Sequence, residues 1–95
     1  MKIRELEIKN TKLSCLEVGL PKSPLIIIVA PKGYIMCGYL NIGTAERLGQ
    51  AAAIVRGVNS VEEILKGKVS ALTSNAKKLG ISEGMLGEEA VSKMV

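Results

Sequence analysis

The chain has 95 residues, a net charge of +4, a hydrophobic fraction of 47% and no histidine, and its nine acidic residues are all glutamates. Without histidine it contains no Ser-His or Cys-His catalytic pair and no imidazole metal ligand. Without aspartate, and with only two cysteines, it also lacks the usual ligand sets for zinc and calcium. We therefore expect no bound metal and no cofactor.

The basic residues are spread along the chain, which favours a solvated outer surface over a binding patch. Lys77-Lys78 is the only adjacent basic pair, and no aromatic side chain lies among the basic residues to stack on bases. Nucleic acid is therefore not expected as a partner. Two cysteines make no disulfide framework, and no apolar segment has the length of a membrane span. These features predict a cytoplasmic protein with reduced thiols and no membrane contact, folded as a single domain over residues 1–95.

The first half of the chain reads as strands. Met1–Lys9 mixes apolar and charged residues and predicts an outer strand, and Leu13–Leu20 alternates as a second strand antiparallel to it. Two apolar runs, Leu25–Ala30 and Tyr34–Leu40, then flank the turn Pro31-Lys32-Gly33 and predict a central hairpin. Neither run alternates polar with apolar residues, so we expect both faces of this hairpin to be covered by protein.

The second half changes to helical patterns separated by one more strand. A helix through Thr44–Leu48, starting at Asn41 or at Gly43-Thr44, leads into a short strand over Ala52–Arg56. Ser60-Val61-Glu62-Glu63 is a capping box, so it predicts the start of a second helix, which ends at Gly67.

Two further helices are predicted to complete the chain. The first spans Ser70–Leu79, and the other begins near Gly87 and buries Ala90, Val91 and Met94. Strands clustered first and helices last predict an α+β fold. We expect a mostly antiparallel sheet of four N-terminal strands plus one later strand, with the C-terminal helices packed on one face.

The apolar content is high for so small a body, so we expect the chain to form a homo-oligomer, a dimer or a trimer. Its only aromatic residues are Tyr34 and Tyr39. Either they pack in the core or they anchor the contact between copies, and the sequence favours neither reading.

Three segments carry a resemblance to a known family. Gly33-Tyr34-Ile35-Met36-Cys37-Gly38, Gly57–Leu65 and Leu79–Met85 are similar to the domain-of-unknown-function 1805 family, the YunC-like small proteins of bacteria and archaea. The resemblance implies a compact, self-associating α+β domain and implies no activity. Relatives tend to carry an acidic residue where this chain has Asn41, and an amide cannot act as a base beside Cys37.

Cys37 is the candidate for chemistry, because it lies near the end of a central strand, just before the loop into a helix. The alternative is that it is a small buried hydrophobic residue, which the absence of a histidine partner favours. Lys32 or Arg47 could stabilise a thiolate there, and Tyr34 or Tyr39 could donate a proton. Pairing of Cys37 with Cys15 as a redox couple is a further, less favoured alternative.

The glycine-rich stretch from Gly38 to Thr44 lies between a strand and a helix, where backbone N–H groups can bind an anion, but the sequence favours a glycine-relaxed turn there. The sequence therefore predicts a self-associating module that binds a small ligand or a protein partner, with a thiol-dependent enzyme or redox protein centred on Cys37 as the alternative. The residues expected to bind the ligand or to form the interface are Gly33, Tyr34, Met36, Gly38, Tyr39, Asn41 and Thr44.

Overall fold

A computed structural model describes all residues from 1 to 95 and contains one six-stranded sheet in which the strands are ordered as in the chain. Four short helices accompany the sheet. The elements are β1 (Lys2–Ile8), β2 (Thr11–Val18), β3 (Leu25–Ala30), β4 (Gly33–Met36), α1 (Ile42–Arg47), β5 (Ala52–Ile54), α2 (Val61–Lys66), β6 (Ala71–Leu72), α3 (Ser74–Lys78) and α4 (Gly87–Ser92).

The strands β1 to β4 form an antiparallel meander. Between β1 and β2, Lys9 and Asn10 form a two-residue turn with φ values of 53° and 63°. Positive φ at both positions is the geometry that matches the twist of paired strands. The strand β5 instead pairs parallel with β4, and α1 makes the crossover between them. The α+β class and the mostly antiparallel sheet are thus confirmed, with one parallel pair that the sequence did not reveal.

The main core lies on the face of the sheet that α2, α3 and α4 cover, which we call the inner face. Cross-strand neighbours Cys15, Ile28, Ile35 and Ala53 lie in one row on this face and are all buried. The three helices, together with the segment after α4, add further core side chains, and the sequence predicted burial for the last three of them. These side chains are Val61, Ile64, Ala76, Ala90 and Val91, followed by Met94.

The helix α1 packs on β5 from the opposite, outer face. Ala52 and Ile54 share a face with Tyr34 and Met36 by strand register, and both are buried although they lie outside the main core. Ala45 of α1, which is also buried outside the main core, belongs to the helix that contacts β5. The chain therefore leaves β4 toward the outer face of the sheet and leaves β5 toward the inner face.

Two predicted elements have different bounds in the structure. The second central strand ends at Met36 instead of continuing to Leu40, because the N–H of Leu40 bonds the carbonyl of Cys37 in a turn. The helix expected over Ser70–Leu79 begins only at Ser74, and the preceding residues form β6. The N–H groups of Ser70 and Thr73 bond carbonyls of β5, so sheet pairing replaces the first helical turn.

The chain covers only one face of the central hairpin, in contrast to the expectation from its unbroken apolar runs. Val29 remains 47% exposed at the middle of the sheet, and Ile3 at its edge is 73% exposed. We call the apolar side chains that the chain leaves partly or fully exposed on the outer face the outer patch. It consists of Ile3, Leu16, Val18, Leu25, Ile27, Val29, Tyr34 and Met36.

Candidate ligand cleft

A cleft of about 460 Å³ opens where β4 and β5 end. Three of its lining residues follow β4, three follow β5, and one precedes β3. Its volume lies within the range of small-molecule sites. The lining residues are Ser23, Cys37, Gly38, Tyr39, Gly57, Val58 and Asn59.

The topology of the sheet explains this cleft. The strands β4 and β5 are parallel neighbours, so their carboxyl ends meet at the same edge. Because the chain leaves β4 toward the outer face and β5 toward the inner face, the two connections separate and leave a crevice between them. In open sheets with parallel strands, ligands bind at crevices of this kind.

Cys37 lies at the base of the cleft and is only 4% exposed. Its Sγ atom accepts a hydrogen bond from the backbone N–H of Ile26 over 3.4 Å and lies 3.9 Å from the carbonyl oxygen of Pro24. No other titratable side chain lines the cleft except Tyr39. The thiol is thus held by backbone groups at the start of β3 and just before it, and not by a catalytic base.

The walls of the cleft are polar on one side and cationic at the rim. The hydroxyl of Tyr39, which is 48% exposed, donates to the carbonyl of Ser23 over 3.1 Å. Arg56 packs against Gly38, since a Cβ placed on this glycine would lie 3.6 Å from Arg56 Nη1. Gly57, on the opposite wall, has a φ of 72°, a backbone conformation that residues with a Cβ atom rarely adopt.

The other predicted binding residues do not converge on the cleft. Gly33 and Tyr34 line a shallower depression of about 320 Å³ beside Gln50, and the Tyr34 hydroxyl donates to Gln50 Oε1 over 2.5 Å. Burial raises the pKa of Tyr34. Met36 belongs to the outer patch. The structure therefore brings together Cys37 with its two following residues and separates the rest.

Asn41 and Thr44 have a local structural role. Asn41 is the N-cap of α1, and its Oδ1 atom accepts the N–H of Thr44 over 3.1 Å. Aspartate and asparagine cap helices about equally well. An acidic residue at this position in relatives would therefore serve the same cap, which gives a structural reason for either residue there.

Sequence reasoning missed Ser23, Arg56, Val58 and Asn59 as neighbours of Cys37. The sequence signal that pointed toward these residues was the short predicted strand that ends before Gly57. Local patterns do not reveal that this strand pairs parallel with β4, which brings the residues after it beside Cys37. Lys32 and Arg47, expected near the thiol, lie elsewhere: the N–H of Lys32 bonds the carbonyl of Met94, and Arg47 donates to Thr44.

The remaining titratable groups form no second reactive site. Cys15 is unpaired, like Cys37, and the intervening β3 keeps their strands apart. Burial raises the pKa of the Cys15 thiol. On the inner side of β1, Arg4 hydrogen-bonds Glu62 and thereby lowers the pKa of that carboxyl to about 2. These contacts tie the edge strand to α2.

The structure contains no cluster of three or more metal-ligating side chains. None of its helices is both long and apolar enough to span a bilayer.

Comparison with known proteins agrees with the resemblance in the sequence. The family model described as domain of unknown function (DUF1805) matches residues 36–94. The uncharacterized protein YunC of Bacillus subtilis is 34% identical over 92 residues, which cover 93% of this chain and 91% of YunC. The crystal structure of TA1206 from Thermoplasma acidophilum, a protein of unknown function, superposes with a TM-score of 0.95 at 33% identity and covers 99% of this chain and 92% of that one. The chain therefore belongs to the DUF1805 family.

Proposed function

We propose that this protein is a cytoplasmic module that associates with further copies of itself through the outer patch and binds a small ligand in the cleft. The observation that carries the proposal is the outer patch. Its eight side chains span four neighbouring strands, and the chain's own helices leave them partly or fully exposed. A contiguous apolar surface on so small a body marks an interaction site.

A second copy of the chain is the occupant that the charges favour. The rows through Val29 and Ile27 contain no charged side chain between β2 and β5. Charges of both signs, on Glu5, Glu7 and Lys12, lie together at one corner of the same face. Two copies related by a two-fold axis can therefore bury apolar rows against each other without burying a charge.

Sedimentation equilibrium of the wild-type protein and of Val29→Lys tests self-association. Val29 is nearly half exposed in the single chain, so a lysine there leaves the fold intact but places a charge inside the contact. We expect an oligomer for the wild type and a monomer for Val29→Lys. The matched control is Leu86→Lys, an exposed leucine outside the outer patch, which should retain the oligomer. A monomeric wild type, or an oligomeric Val29→Lys, would refute this role of the outer patch.

Ligand binding in the cleft is supported by its shape and its composition. It combines a buried apolar base, Cys37 and Val58, with a few polar groups on its walls. The direct test is a titration of ¹⁵N-labelled protein with 2-propanol, a small probe that collects in binding clefts. We expect saturable shifts of the Gly38, Gly57 and Asn59 amides and none at β1. Uniform shifts over the whole surface would contradict a binding cleft.

The thiol-dependent enzyme or redox protein is the second candidate, and the position of Cys37 at the base of the cleft favours it over the other buried cysteine. Mass spectrometry of the folded protein treated with iodoacetamide tests it, because each cysteine is detected separately. The thiol reading requires rapid modification of Cys37 while Cys15 remains protected. If neither cysteine reacts until the protein unfolds, Cys37 is a packing residue and only the binding role remains.

A further inference from the structure

The rim of the cleft carries one cation that no group of the chain neutralises. The guanidinium of Arg56 makes no hydrogen bond and no ion pair, whereas both ion pairs of the protein involve Arg4. Arg56 lies against Gly38, which lines the cleft, and precedes Gly57 on the opposite wall. Its planar set of N–H donors is thus available beside an open cleft.

The lining of the cleft leaves the positive charge of Arg56 without a balancing negative charge. None of the lining residues is acidic. One carboxylate borders it, that of Glu63, but its Oε1 atom already accepts the N–H of Asn59 over 3.0 Å. Asn59 and Ser23 contribute further polar atoms to the walls, and the base beside Val58 is apolar.

We propose that the cleft binds small organic monocarboxylates, with the carboxylate on Arg56 and the apolar body over Cys37 and Val58. This inference rests on the proposed ligand-binding role of the cleft. One guanidinium matches one planar carboxylate through paired hydrogen bonds. A phosphate group carries more charge and is held by several cations or by a ring of backbone donors. No lysine lines this cleft, so the balance of charge favours the monoanion.

The test compares sodium hexanoate with hexanamide, which has the same carbon chain and no charge. Both are titrated into ¹⁵N-labelled protein at constant ionic strength, with sodium chloride as the control for general anion effects. We expect hexanoate to shift the amides of Gly38, Gly57 and Asn59 in a saturable way. Loss of the charge-assisted contact should make hexanamide bind about tenfold more weakly.

Two variants complete the design. Arg56→Gln removes the cation from the rim of the cleft and should weaken hexanoate binding about tenfold without changing hexanamide binding. Arg47→Gln is the matched control, because Arg47 is also exposed but lies on α1 and bonds Thr44, and it should bind hexanoate as the wild type does.

The outcomes separate this inference from the function on which it rests. If hexanamide binds as well as hexanoate, or if Arg56→Gln has no effect, the carboxylate inference is wrong while the cleft remains a ligand site. If chloride alone reproduces the shifts, the inference is also wrong. If none of the probes, 2-propanol included, shifts the cleft amides, both the inference and the ligand-binding role fail.

Discussion

Cys37 and Ile26 are joined by two backbone-directed hydrogen bonds: the N–H of Cys37 donates to the Ile26 carbonyl over 3.0 Å, and the N–H of Ile26 donates to Cys37 Sγ over 3.4 Å. The sulfur atom therefore continues the pairing of β3 and β4 beyond the last ladder residue, Met36. The thiol serves as an acceptor in the sheet as well as a part of the cleft.

This role predicts different stabilities for two substitutions of Cys37. Cys37→Ala leaves the buried N–H of Ile26 without an acceptor and should lower the free energy of unfolding by about 1–3 kcal/mol. Cys37→Ser keeps an acceptor and a donor toward Pro24 and should lose less. Urea unfolding of both variants measures the difference. An alanine variant at least as stable as the serine variant would show that the sulfur contact contributes nothing.

Thr73 connects β5, β6 and α3 through one buried hydroxyl. Its Oγ1 atom accepts from the N–H groups of Ala52 and Ala76 and donates to the carbonyl of Gln50 over 2.7 Å. Thr73→Val keeps the shape but leaves these groups without a partner, so we expect a loss of about 2–4 kcal/mol in unfolding free energy. Thr73→Ser keeps the hydroxyl and should lose about 1 kcal/mol. A Thr73→Val loss no larger than the Thr73→Ser loss would show that the hydroxyl contributes no more to stability than the methyl group does.

Gly87 permits the first turn of α4 to approach α2 closely. A Cβ atom at this position would overlap the carbonyl oxygen of Ile64, and both sides of that contact are backbone. We expect Gly87→Ala to destabilise the protein by about 3 kcal/mol, since only a shift of one helix relieves the overlap.

The control for this steric effect is Gly19→Ala. No atom lies within 4 Å of a Cβ at Gly19, so its unfolding free energy should change by less than about 0.5 kcal/mol. Thermal unfolding of both variants gives the comparison. A similar midpoint for both would mean that α4 moves away from α2 without loss of stability.

The Arg4–Glu62 pair predicts a pH dependence of stability. The hydrogen bond and charge of Arg4 lower the pKa of Glu62 from 4.5 to about 2 in the folded state. Because folding favours the ionised carboxyl, this contribution is present above pH 4.5 and is lost as the pH falls toward 2. Both side chains are exposed, so salt should reduce the effect.

Urea unfolding between pH 2 and 4.5 measures this contribution in the wild type and in Glu62→Gln. The variant should depend less on pH in this window than the wild type does. Glu88→Gln, on the exposed side of α4, is the control and should keep the wild-type profile. A Glu62→Gln profile parallel to that of the wild type would show that the ion pair does not contribute in solution.

Local sequence signals determined most of the secondary structure, because the groups that produce them are close in the chain. Ser60 caps α2 by accepting the N–H of Glu63, and Asn41 caps α1, as their positions predicted. The alternating residues of β2 and the unbroken apolar run of β3 likewise identified the strands. The three segments that resemble the DUF1805 family identified the family of the domain without indicating an activity.

Tertiary structure alone decided the parallel pairing of β4 with β5 and hence the cleft. A strand of three residues, Ala52–Ile54, pairs equally well in either direction as judged from its own sequence. Its direction follows from the crossover through α1, which carries the chain back to the edge of the sheet where β4 begins, so that β5 runs parallel to β4. The apolar run of β3 indicated burial on both faces, and the fold shows which face the chain's own helices cover and which remains exposed.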